Sequence, residues 1–166
     1  NLIEKNKKFD VIWLDNVLEH VVDPFMTLKH CRELSNPNAI LMIEVPNDYS
    51  ILQQIALEEG LVDREYWLAP PEHISYFNKN GLISLCEDTG WSVKDVLGDF
   101  PIDMNIMNQY TNYIMDSSIG KGCHKSRVKI ENILHNISIE KANNFFRSLA
   151  DLGLGRDIIA IAMSVK

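Results

Sequence analysis

Two kinds of apolar pattern alternate along this chain. Val11 to Leu14, with Phe9 just before, and Ala39 to Val45 are almost unbroken apolar runs, and Asp157 to Val165 closes the chain with another. Runs of that length without alternation predict buried strands, of the kind a parallel sheet covers on both faces. Between the first two, Phe25, Leu28, Cys31 and Leu34 recur at three-residue spacing, which predicts a helix with one buried stripe. Asp23 can cap it, Pro24 can open its first turn, where a missing N–H does no harm, and Ser35 to Asn38 stops it. Strand, helix and strand in that order predict two neighbouring parallel strands joined by a crossover.

A second helix is expected from about Asp48 to Glu59, with Ile51, Leu52, Ile55 and Ala56 inward and Gly60 as its stop. The segment from Leu61 to Asn78 breaks the pattern with Tyr66, Trp67, Pro70, Pro71, Glu72, His73, Tyr76 and Phe77. Long ordered loops in compact domains tend to be functional, so it reads as a lid. Asn78 then caps a helix through Leu82, Ile83, Leu85 and Cys86 that closes at Gly90, ahead of a strand at Trp91 to Leu97. From residue 98 to 156 the spacing is helical throughout. It predicts one helix on Met104, Met107, Tyr110 and Ile114, a second on Val128, Ile130, Ile133, Leu134 and Ile137, and a third on Ala142, Phe145, Phe146, Leu149 and Leu152. The expected organisation is one α/β domain over residues 1–166, with 98–156 as a helical insertion before the last strand.

Composition narrows the function classes. A chain of 166 residues, 46% of them apolar, suits a single core. A net charge of -7 argues against a nucleic-acid or anionic-membrane surface, which needs concentrated Lys and Arg. Cys31, Cys86 and Cys123 are odd in number and show no Cys-x-x-Cys pattern, which points to a reducing cytoplasm. There is no apolar run long enough to span a bilayer and no signal-peptide pattern at the start, and a first residue of Asn rather than Met hints at a processed chain or a fragment. His20, His30, His73, His124 and His135 lack paired ligand spacing, so no metal is expected. Lys121, Lys125, Arg127 and Lys129 read as a solvated helix end, Gly153 as a helix C-cap, and the Asn136-Ile-Ser138 sequon is discounted without a sign of secretion.

Open α/β sheets bind ligands beyond the carboxyl ends of their strands. Asp15, Asn16, Glu19 and His20 follow the first strand, and Glu44, Asn47 and Asp48 end the second, at the same edge. The run Phe9-Asp-Val-Ile-Trp-Leu-Asp-Asn-Val-Leu-Glu-His-Val-Val-Asp-Pro24, the ending Ile-Glu-Val-Pro-Asn47 and the segment Pro71-Glu-His-Ile-Ser-Tyr-Phe77 together resemble the class I S-adenosylmethionine-dependent methyltransferases. The likeness covers residues 9 to 98 and the last strand. The glycine loop of that family is absent from this chain, so the resemblance implies the carboxyl-terminal half of a Rossmann-like three-layer sheet, incomplete at the N-terminus.

The resemblance implies S-adenosylmethionine as cofactor, lined by Asp15, Asn16 and Val17, and methyl transfer to a small-molecule acceptor such as a sugar, a quinone-like compound or another metabolite. For an acceptor that must lose a proton, His73 and His20 are the candidate bases, since imidazole titrates near neutrality. Both can equally be structural. Glu19, Glu44, Asn47, Trp67 and Tyr76 are candidate acceptor contacts; Glu19 can also orient His20, Asn47 can cap the next helix, and Phe77 is assigned to the core. No nucleic-acid or membrane partner is expected, and a homodimer is left open. The competing class is a non-catalytic or truncated methyltransferase-like lobe that acts as an interaction module.

Overall fold

The computed structural model describes residues 2–165, and these divide into two compact units. The first contains the residues up to Pro46, Pro70–Val96 and those from Ile158; the second contains Asn47–Ala69 and Leu97–Asp157.

The first unit opens with the expected strand, helix and strand: β1 (Phe9–Asp15), α1 (Pro24–Glu33) and β2 (Ser35–Pro46). Asp23 caps α1 by accepting the Met26 amide at 2.8 Å, with Pro24 in the first turn. β1 and β2 are parallel, paired from Val11 with Ile40 to Asp15 with Glu44. α3 (Lys79–Asp88), capped by Asn78, leads into β3 (Trp91–Gly98), and the chain returns as β4 (Asp157–Ser164). The strand order is β1-β2-β4-β3.

The core of this unit lies under β2 and β4. Leu41, Ile43 and Val45 meet Ile158, Ala160 and Ala162, with Leu28 and Cys31 of α1, Leu82 and Cys86 of α3, Phe77 and Trp91 around them. Trp91 also donates its indole N–H to the Leu28 carbonyl at 3.3 Å, which satisfies a buried donor that would otherwise carry a desolvation cost. Phe77 is in the core as expected.

Three expectations change here. β1 is not covered on both faces: it is the edge strand, and Val11 and Trp13 are 56% and 61% exposed. Its unbroken apolar pattern had implied neighbours that the described residues do not supply. β2 begins at Ser35, so the polar residues read as a helix stop are already strand. Phe25, read as part of the α1 stripe, is exposed.

The second unit is helical. α2 (Ile51–Glu58) starts later than expected because Ser50 forms a capping box with Gln53. Ile51, expected inward, is exposed, and Gln53 is buried instead, its Nε2 donating to the Asn47 carbonyl at 3.2 Å. α4 (Gly120–Ile137) and α5 (Ile139–Leu152) form over the second and third predicted runs, but Val128, Ile130, Ile133 and Ile137 of α4 and Phe145 and Leu152 of α5 are exposed, while Ala142, Phe146 and Leu149 are buried. The first stripe does not form an α-helix: Ile102–Met107 is a 3-10 turn followed by irregular chain. Asparagine side chains explain it, because they offer the backbone other partners than a helix. Asn105 donates to the Ile102 carbonyl, Asn108 accepts from the Tyr110 amide, and Asn112 accepts from those of Ile114 and Met115.

Candidate active site

The first unit gathers most of the predicted residues. The C-terminal ends of β1 and β2 place Asp15 beside Glu44, as the shared edge required. Asn16 turns the chain out of β1 with φ of 50°, its amide N–H held by the Glu44 carbonyl at 3.0 Å and its side chain donating to Asp15 at 2.9 Å. Val17 follows, half-buried, and Leu18–His20 form one 3-10 turn that buries Leu18 and Glu19.

Glu19 is 1% exposed. Its backbone carbonyl accepts the amides of Ile74 at 2.9 Å and Ser75 at 3.2 Å. Those two bonds bring His73 to the loop after β1 although the residues lie far apart in sequence, and Tyr76 braces the segment by donating its hydroxyl to the His73 carbonyl at 3.1 Å. The His20 and His73 rings meet edge to face with centroids 4.8 Å apart. Nδ1 of His20 lies 2.7 Å from the Glu72 carbonyl. Because a carbonyl only accepts, Nδ1 carries the proton in the neutral ring and Nε2 keeps its lone pair. Nε2 stands 3.6 Å from Glu19 Oε1. Glu19 Oε2 and His73 Nδ1 are buried and find no hydrogen-bond partner among the described residues. One ligand atom from each of Glu19, His20 and His73 falls within 4.8 Å of the others.

This grouping was not legible from histidine spacing, because one imidazole and the carboxylate are adjacent in sequence and the second imidazole arrives on another segment. The combination of Glu19-His20 with the distant Glu72-His73 was the available signal.

Asn47 and Trp67 belong to the second unit. Asn47 is buried and its side-chain amide is taken up by the carbonyls of Gly153 at 3.2 Å and Gly155 at 2.8 Å, while Ser50 serves as the helix cap. Trp67 is buried between the rings of Tyr49 and Tyr66. Gly153 is the C-cap of α5 in the left-handed region, φ 70°, as its position suggested. Gly155 has a packing role: a Cβ there would lie 2.6 Å from Gly98 Cα.

The second unit also holds two charged clusters that sequence reading missed. Asp99 accepts the Asp157 amide at 2.7 Å and pairs with Arg127 at 3.1 Å, so Arg127 is not the solvated helix-end charge expected. Burial, with the neighbouring Asp157 charge, pushes the Asp99 carboxyl up to about 7. Tyr113 donates to buried Asp103. Burial, followed by the Asp103 charge, pushes the Tyr113 hydroxyl well above its usual range.

A family model described as a methyltransferase domain matches residues 1–96, more than half of the chain. The chain belongs to the methyltransferase-domain family. The ubiquinone biosynthesis O-methyltransferase of Histophilus somni (strain 2336) is 27% identical over 128 residues, which is 68% of this chain and 51% of that protein. This methyltransferase domain therefore spans about half the length of the curated relative it matches. Among solved structures it is similar to a S-adenosylmethionine-dependent methyltransferase from Archaeoglobus fulgidus, at 21% identity and a TM-score of 0.52, over 99% of this chain and 65% of that one. A Haloferax volcanii methyltransferase in complex with the Trm112 methyltransferase activator aligns at 9% identity and a TM-score of 0.51, over 97% and 56% of the two chains. At these identities the structural likeness shows the Rossmann-like α/β fold. Among the described residues no helix is long and apolar enough to cross a membrane.

Proposed function

We propose that this methyltransferase domain serves S-adenosylmethionine-dependent methyl transfer to a hydroxyl of a small-molecule acceptor. The observation that carries the reading is the convergence of Glu19, His20 and His73 beyond the carboxyl end of β1, where α/β sheets take their ligands. The family and the O-methyltransferase named among the relatives support the same chemistry.

The residues after β1 fit the cofactor's amino-acid part: an exposed Asp15 carboxylate suits its ammonium, and the turn at Asn16 presents the backbone of Asn16 and Val17. S-adenosylmethionine supplies a methyl group activated on a sulfonium. The task of this chain's residues is then to hold the acceptor oxygen in line and take up its proton. His20 has one nitrogen committed to the Glu72 carbonyl and the other facing Glu19, so His73 is the freer imidazole and takes the proton, with the buried Glu19 close by. Tyr76 and Glu44, which border this region in sequence and sheet, face the acceptor in this reading.

The test is a screen of the intact polypeptide with methyl-labelled S-adenosylmethionine against sugar, quinol-like and small aromatic acceptors. Label on a hydroxyl of one class is the expected result. A folded protein that labels none of them falls to the interaction-module reading, which the bare apolar surface of β1 favours.

A further inference from the structure

We propose that Glu19, His20 and His73 hold a first-row transition-metal dication. Three observations converge. The first is a mismatch of lone pairs: with its Nδ1 proton given to the Glu72 carbonyl, neutral His20 aims an unprotonated Nε2 at a Glu19 carboxylate oxygen 3.6 Å away. Two acceptors facing each other repel unless something positive lies between them, either a proton or a metal ion. The second is that Glu19 Oε2 and His73 Nδ1 are also buried without a partner among the described residues, and buried polar atoms left in that state cost free energy that a ligand can recover. The third is that one ligand atom from each of the three residues lies within 4.8 Å of the other two.

The dimensions suit a cation after a small closure. Ligands at about 2.0–2.1 Å from a tetrahedral zinc are separated by about 3.3 Å. The His20–Glu19 pair is near that value already, and the His73 ring, whose Nδ1 has no bond to lose, can turn to complete the set. The Glu72 carbonyl on the far nitrogen of His20 is the kind of outer contact that fixes the orientation of ligating imidazoles. Two imidazole nitrogens and one carboxylate favour zinc, cobalt, iron or manganese over magnesium and calcium, which prefer all-oxygen sets. Three protein ligands also leave positions open for water or substrate, the arrangement of a reactive rather than a purely structural site.

One consequence rests on the methyl-transfer reading. An acceptor oxygen bound at an open position would lose its proton more readily, because the cation stabilises the alkoxide or phenolate. The imidazoles would then act as ligands, and His73 would no longer be the group that takes the proton.

The test is binding, which needs no turnover. The intact polypeptide, stripped with chelator, is titrated with zinc by calorimetry and with cobalt by visible absorption. One site per chain is expected, with cobalt bands characteristic of mixed nitrogen and oxygen ligation and no competition from magnesium. Glu19→Gln and His73→Ala should each weaken zinc by at least about tenfold, whereas His30→Ala, on the exposed side of α1, should not. Circular dichroism reports whether each variant is folded. Absence of a site in the folded wild-type protein, or unchanged affinity in both folded variants, overturns the proposal. A good isotherm with no methyl transfer to any acceptor would sink the functional reading and keep the metal site; turnover without metal uptake would do the reverse.

Discussion

β1 and β2 are parallel neighbours with similar apolar runs, yet they differ in environment. β2 has Leu41, Ile43 and Val45 fully buried, whereas β1 leaves Phe9, Val11 and Trp13 exposed. The difference lies in position within the sheet: β2 is flanked by β1 and β4, while β1 has one strand beside it among the described residues. An unbroken apolar run therefore reports the burial a strand is suited to, and the neighbours present decide whether it is realised. Both strands nevertheless deliver polar residues to one edge, Asp15 from the bare strand and Glu44 from the buried one.

The contrast can be broken by mutation. Truncating Ile43, fully buried in β2, should cost about 3 kcal/mol in urea unfolding, in the range for aliphatic core residues cut to alanine. A smaller loss would mean that the β2 core is looser than its packing indicates.

Next in size is a pH effect in the second unit, where the half-buried carboxylate of Asp99 contrasts with the exposed Asp15 at the end of β1. Folding raises the Asp99 carboxyl to about 7, through burial first and the Asp157 charge second, against the lowering pull of Arg127. A raised acid contributes stability that is full below the ordinary carboxylate range and is lost as pH rises through about 7. The melting temperature should therefore fall between pH 5 and pH 8, with a slope that Asp99→Asn flattens. An unchanged slope in that variant would assign the dependence to other groups.

Trp13→Ala should have the smallest effect on the isolated fold, within about 0.5 kcal/mol, as for a surface residue whose side chain is mostly exposed. If it costs as much as Ile43→Ala, β1 is covered in solution.

How far the sequence carried this account depended on the reach of the interactions. Local ones were readable: the Asp23 and Asn78 caps, the Pro24 helix start, the Gly153 C-cap and the parallel β1–β2 pair depend on residues a few positions apart, or on apolar period. What failed needed knowledge of neighbours. The edge position of β1, the replacement of a helix by asparagine-bonded turns at residues 102–115 and the Arg127–Asp99 pair are each set by contacts that no spacing encodes. The candidate site falls between these cases. Asp15, Asn16, Glu19 and His20 were legible as a strand-end loop, but the convergence of His73 on Glu19 arises from backbone bonds to Ile74 and Ser75.

The central claim is that this convergence activates a methyl acceptor. It is tested most directly by His73→Ala in the intact polypeptide, with kcat and the KM for S-adenosylmethionine measured separately on the acceptor the screen identifies. The account predicts a fall in kcat of about a hundredfold or more with the cofactor KM nearly unchanged. An unchanged kcat, in a variant shown to be folded, would contradict it.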